Sequence, residues 1–251
     1  MSLGVTPPTT ARGATPRQAR AFATRETIVE AAAAEFAQLG YHQASLAGVV
    51  TRSGLTKGAL YFHFESKLEM ATTVVGRMAE AYRELAGSTA GRGPDPLREA
   101  ALLARDVQEL LDHRVDVAAG QRLSGEGVAG TEWAAWPTEF WQDVFAGLFA
   151  QGLAQGIVRP GVDPLASARF VVDISAGAFR NSLITTGLAD LAERVRHNWE
   201  LMFASLAEPA WRERWQAEGG MATVLAAHLP SHAPAHLSSS SPRRDEVEGL
   251  V

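Results

Sequence analysis

The chain has 251 residues and no cysteine, which excludes disulfides and thiolate-held metals and fits an intracellular location. No stretch approaches the roughly 18–20 apolar residues that a membrane-spanning helix needs, so no membrane partner is expected. The first twenty residues, MSLGVTPPTTARGATPRQAR, carry arginines with no apolar segment behind them, and are not expected to act as a secretory signal. Nothing alternates convincingly with the period of two that marks a half-buried strand. No nucleophile elbow, P-loop, HExxH or GxGxxG motif is present. Catalysis therefore has no residues to rest on, and neither catalytic residues nor a cofactor is assigned.

What the chain does contain is concentrated in residues 45–67, SLAGVVTRSGLTKGALYFHFESK. Ser45 is placed to cap a short helix over 46–52 whose apolar side is Leu46, Val49 and Val50. Gly54 follows where the chain must turn through positive φ. Thr56 caps a second helix, on which Leu60 and Phe64 lie four residues apart on one side. Lys57, Gly58 and Tyr61 occupy the rest of its surface. Ser66, with Glu69 three residues on, makes a capping box for a third and long helix.

Two short helices about a glycine turn describe a helix-turn-helix. The outward face suits a phosphate-lined groove: Lys supplies charge, Tyr a hydroxyl on a rigid ring, and Gly lets the backbone approach the duplex. His63 either reaches a phosphate or closes the helix. Spacing alone also admits an ordinary helical hairpin with a solvated lysine. Charge adds to the first reading. The net charge is −5, yet residues 1–67 hold seven Lys and Arg against four acids, so this end is +3 and the remainder −8. A basic end on an acidic body suits a small DNA-facing module on a larger domain with other work.

The rest of the chain is read as helices and loops. Residues 1–16, rich in Pro, Thr and Gly, are expected to be a disordered arm whose Arg12, with Arg17 and Arg20 after it, is either solvated or touches DNA. A first helix over 20–39 buries Ile28, Ala32, Phe36 and Leu39 and ends at Gly40. The long helix over 66–85 repeats Leu68, Ala71, Val75, Met78, Tyr82 and Leu85 along one seam. Asp95 with Pro96 opens a helix to about 112, and a shorter one covers 115–123. Residues 124–137 are expected to be a loop holding Trp133 and Trp136. Helices follow over 138–155, 164–186, 190–206 and 209–227, the last weakened by Gly219-Gly220. The chain from 229 on reads as a disordered tail. The expected fold is all-α with about nine to ten helices: residues 17–65 as a three-helix DNA-binding domain and 66–228 as a ligand-binding and dimerisation domain.

His228, His232 and His236 are four apart, but Pro230 and Pro234 break the helix that would align them, so no metal site is assigned. The aromatics of 133–149 are more telling. Trp133, Trp136, Phe140, Trp141, Phe145 and Phe149 exceed what a short helix needs for packing. They are either core, the better reading for Phe145 and Phe149, or the wall of a cavity for a small apolar molecule.

GLTKGALYFHFESK resembles the recognition-helix signature of the TetR family of bacterial repressors. The succession AAGQRLSGEG, then TEFWQDVF, then a long apolar helix is similar to the γ-butyrolactone receptor branch of that family. The resemblance implies a cytoplasmic homodimer, paired through the helices at 164–186 and 190–206, that binds a pseudo-palindromic double-stranded DNA operator. It implies DNA contacts by Thr56, Lys57, Gly58, Tyr61 and His63, with Ser45 at a helix N-terminus facing phosphate. It implies an effector pocket lined by Trp141, with Val144 and Phe145 on the same helix. Position on the neighbouring helices singles out Gln121 and Ser175 as its polar partners. The expected effector is a butyrolactone, butenolide or furan-type signal, with an unrelated drug or metabolite as the alternative. An enzyme with a helical binding domain would show a titratable cluster in the pocket, and a ligand-independent architectural protein would have no pocket.

Overall fold

The structure, a computed structural model, describes residues 15–226 apart from 90, 92, 129 and 188. The expected arm up to residue 14, and the tail with His228, His232 and His236, lie outside the described residues. Within them the chain forms eleven helices and no strand.

Helix α1 (Pro16–Gln43) begins four residues before the expected start because Thr15 and Gln18 form a complete capping box ahead of Pro16. Gly40 does take positive φ, at 73°, but the chain resumes one further turn beyond it. Helix α2 (Leu46–Ser53) starts at Ser45, whose Oγ accepts from Gly48 N at 3.0 Å, and stops at Gly54 in the left-handed region. Helix α3 (Lys57–His63) starts at Thr56, whose Oγ1 accepts from Ala59 N at 3.2 Å. Ile28, Val29 and Phe36 of α1 are buried in one core with Val49, Leu60 and Phe64.

Helix α4 (Lys67–Thr89) has a shifted capping box. Ser66 Oγ accepts from Glu69 N as expected, but the Glu69 carboxylate reaches the amide of Glu65, one residue further out. Its buried seam is Met70, Ala71, Val74, Val75, Met78 and Tyr82. Leu68, placed in that seam from sequence, is instead 45% exposed, the buried side of the first turn being taken by Met70 and Ala71.

Helices α5 (Pro96–His113) and α6 (Val115–Gly125) follow, with α6 against both α1 and α4. Gly120 lies so close to Met78 that a Cβ there would sit 2.5 Å from the Met78 Cβ, so only glycine permits this approach of α6 to α4. Helix α7 (Thr131–Ala154) corrects the expected loop over 124–137, whose first two residues end α6 and whose last seven begin α7. Pro137 lies inside it and lacks the N–H that would bond to the preceding turn. The two turns before it are held by rings: Trp136 stacks on Phe140 at 4.8 Å and carries the Arg83 guanidinium 4.7 Å from its centroid.

Helix α8 (Pro164–Thr186) is capped by Asp163 and α9 (Leu191–Leu206) packs beside it. Their corner is tied by Asp190, which accepts from the Ser182 and Thr186 hydroxyls and from Arg194 Nε. These bonds, the Ser182 one foremost, draw its carboxyl down to about 2. The expected last helix is two, α10 (Pro209–Ala217) and α11 (Gly220–Ala226), since Gly219 and Gly220 both adopt positive φ between them.

Candidate functional site

Two groups of residues stand out, one at each end. At the first, Leu60 and Phe64 anchor α3 in the core, each about 1% exposed. Residues on the opposite side of a seven-residue helix then have nothing to pack on. Lys57, Gly58 and Tyr61 are exposed there, as expected, with Lys57 Nζ 5.8 Å from the Tyr61 ring centroid. His63 is half-buried and meets the Phe62 ring edge-on at 5.1 Å. Ser45 and Thr56 are exposed at the starts of α2 and α3, and their oxygens accept the cap bonds already described. Each hydroxyl keeps its proton to donate outward. The six residues singled out for DNA therefore lie on or beside α2 and α3.

Phe62, not singled out from sequence, is the most exposed of the large hydrophobics, at 79%. Its position two residues from both buried anchors was the available signal. A ring held in water at one end of a basic surface can meet thymine methyls or sugar edges in a groove.

The surface is set by interactions behind it. Glu35 of α1 is buried, receives Arg52 Nε at 2.7 Å and Ser45 N at 3.4 Å, and so pins both ends of α2. Gly48 is required there, since a Cβ would fall 1.9 Å from Glu35 Oε1. The Arg25 guanidinium lies 4.7 Å over the Phe64 ring. Lys67 Nζ donates to Tyr41 O at 2.7 Å and Ala44 O at 2.9 Å while lying over the Tyr41 ring. Three of the cations that make this end basic, Arg25, Arg52 and Lys67, are thus engaged within the protein, while Arg17, Arg20 and Lys57 are exposed.

The second group surrounds Trp141, which is buried between Tyr82 and Phe140, each edge-on at about 5 Å, with Phe145 beyond. The Tyr82 hydroxyl donates to Gln121 Oε1 at 3.0 Å. Burial pushes the Tyr82 phenol far above its ordinary range, so it remains a neutral donor. Gln121 is half-buried, and its amide nitrogen makes no hydrogen bond among the described residues. Walls of aromatic carbon with one phenol–amide pair can hold an apolar molecule by a carbonyl or hydroxyl.

Trp141, Gln121 and Phe145 are therefore brought together, with Val144 half-buried on the same helix. Tyr82, read from sequence only as a seam residue, joins the two. Ser175 on α8 is half-buried and makes no hydrogen bond to Gln121, Tyr82 or Trp141. A separate cleft of about 80 Å³ between α5 and α10 is lined by Asp95, Arg98, Arg214 and Glu218 with two tryptophans. It is smaller than the ~300 Å³ of ordinary ligand pockets. Its Asp95 already receives Trp211 Nε1, and its Arg98 is paired with Glu218.

The chain is similar to known bacterial regulators in sequence and in structure. The profile described as "Bacterial regulatory proteins, tetR family" matches residues 28–74, from mid-α1 into α4. The A-factor receptor protein of Streptomyces griseus is 34% identical over 206 residues, spanning 81% of this chain and 71% of the receptor. The crystal structure of an ArpA-like γ-butyrolactone receptor superposes with a TM-score of 0.70 at 26% identity, over 83% of this chain and all of that one. CprB from Streptomyces coelicolor, a TetR family protein solved with its operator sequence, gives 0.69 at 26% identity over the same shares.

Proposed function

Because the chain belongs to the TetR family of bacterial regulatory proteins, alongside the γ-butyrolactone receptors, we propose that it is a homodimeric repressor released from its operator by a small lactone-like effector. It is a transcriptional regulator and not an enzyme. The observation that carries the reading is α3, anchored by Leu60 and Phe64 and presenting Lys57, Gly58, Tyr61 and Phe62 outward as an exposed surface.

We assign residues 17–65 to the groove, with Ser45, Thr56, Lys57, Gly58, Tyr61 and His63 as contacts. Residues 66–228 are assigned to effector binding and pairing. Two copies of α3 in successive major grooves must sit about 34 Å apart, so the duplex read is a pseudo-palindrome. Pairing is supported by the apolar surface that α8 and α9 leave uncovered, chiefly Phe170, Ile184 and Leu201. A protein that works on operator DNA acts in the cytoplasm.

The effector site is assigned to Gln121, Trp141, Val144, Phe145 and Ser175, with Tyr82 added. Its chemistry supports a butyrolactone, butenolide or furan: an oily body against rings, and a carbonyl or hydroxyl on the Tyr82–Gln121 pair. The effector must bind the released state more tightly than the DNA-bound one, or it shifts nothing. The test is a gel shift with duplexes selected by the protein from a random pool. A synthetic 2-acyl-γ-butyrolactone is then added, with an unrelated hydrophobic drug in a parallel lane. Release by the lactone alone is expected. Release by the drug alone overturns the effector class, and failure to enrich any duplex overturns the repressor reading.

A further inference from the structure

Helix α1 breaks at Gly40, where φ is 73° and ψ 176°, and backbone groups at the break are bonded by side chains from other helices. Arg122 Nη1 of α6 donates to Ala37 O at 2.9 Å and Gln38 O at 3.2 Å. Glu126, the residue closing α6, receives Arg122 Nε on Oε1 at 3.0 Å and the Tyr41 amide on Oε2 at 2.7 Å. Gly40 lies directly beneath this pair, since a Cβ there would come within 2.3 Å of Glu126 Oε1 and 2.8 Å of Arg122 Nη2. The carbonyls and amide that a helix leaves unbonded at its end are here satisfied from α6. Ser45, the cap of α2, follows only two residues after α1 ends.

We propose that Arg122 and Glu126 are positioning residues for operator binding, a clamp that holds the end of α1 so that α2 and α3 meet the groove, and that α6 opens it when the effector site fills. This rests on the reading of the Tyr82–Gln121 pair given above. Gln121 and Arg122 are consecutive, so they leave α6 about 100° apart. One turns to Tyr82 and the other to α1. No residue lies between them to absorb a movement. The clamp is made of hydrogen bonds, which are lost beyond about 3.5 Å, so an α6 shift of about 1 Å suffices to open it. An apolar contact of the same extent would stretch without letting go.

The test uses the full chain and a duplex enriched by the wild type from a random pool. Two quantities are read: amide hydrogen exchange in peptides spanning 37–44, and duplex affinity. Glu126→Ala is expected to speed exchange and weaken binding by about tenfold each, as loss of a charged hydrogen-bond partner implies. Glu126→Gln keeps an acceptor for the Tyr41 amide and is expected to recover most of both. Arg114→Gln, which breaks the separate Arg114–Asp116 pair where α5 gives way to α6, is expected to change neither.

Faster exchange with unaltered affinity, or unaltered exchange, overturns the clamp. If Glu126→Ala does not fold, Arg122→Lys decides on the same two readings, with about a threefold change expected in each. In Gln121→Phe, a wedge beside Tyr82, both quantities are expected to move threefold or more. Either one staying put overturns the link through α6. A wild type that enriches no duplex overturns the repressor reading itself, a result distinct from failure of the clamp.

Discussion

The Tyr82 hydroxyl of α4 donates to Gln121 of α6 across 3.0 Å, while its ring meets Trp141 edge-on. Tyr82→Phe leaves a half-buried amide oxygen without that donor, and is expected to lower stability by about 1–3 kcal/mol in urea unfolding. The same bond has a pH signature. Burial holds the folded phenol above its ordinary value. Below pH ~10 both folded and unfolded chains keep the proton, and the contribution is fully present. Above it the unfolded chain releases the proton and the folded chain does not, so stability falls as pH rises. Wild type should therefore lose stability faster than Tyr82→Phe between about pH 10 and 11, and parallel slopes would sink the idea.

Operator affinity should separate charge from ring. Lys57→Ala is expected to weaken binding to all duplexes and reduce the slope of log affinity against log salt by about 1 per subunit. Phe62→Ala should leave that slope unchanged and relax preference at one or two base pairs, at about 1–3 kcal/mol of discrimination. Both side chains are exposed, so unfolding midpoints should move by less than about 0.5 kcal/mol. A Phe62→Ala protein with undiminished selectivity would remove that residue from the interface.

Gly48→Ala tests the support behind the surface. The new methyl would fall 1.9 Å from Glu35 Oε1, and Glu35 is buried and bonded to Arg52. Overpacking of this kind costs about 1–3 kcal/mol. Because displacing Glu35 also frees Ser45 and Arg52, duplex affinity should fall as well. Wild-type stability in this variant would show that Glu35 has room to move.

Ile184→Glu addresses pairing. Ile184 is 75% exposed in the single chain, so the change should not disturb folding of the subunit. A charge placed in an apolar pairing face is expensive to desolvate. Sedimentation is expected to show dimers for the wild type and monomers for the variant, with duplex binding reduced in step. Dimers that persist would place the interface elsewhere.

The helix-turn-helix was legible because its signals are local: caps at Ser45 and Thr56, the turn at Gly54, and anchors at Leu60 and Phe64. Long-range contacts were not. Arg122 and Glu126 carry no local signal, since only the fold brings Gly40 beneath them. Lys67, counted from sequence only in the charge balance, holds the carbonyls of Tyr41 and Ala44 at the end of α1. The start of α7 was missed because Pro137 lies within it and glycines crowd the segment before it. Of the residues proposed for the effector, Trp141 and Gln121 were placed together from sequence. Tyr82 was missed because a phenol in an apolar seam looks the same as any large core residue until its partner is seen.

The tryptophans form part of a longer string. From Trp133 each ring lies within 6.5 Å of the next, through Trp136, Phe140, Trp141 and Phe145 to Trp199, Phe203, Trp211 and Trp215. All six indoles of the chain belong to it. Light absorbed by any one of them can migrate to its neighbours before it is emitted. A molecule that quenches Trp141 would therefore dim the emission of indoles it never touches, and the protein carries its own optical reporter without a dye.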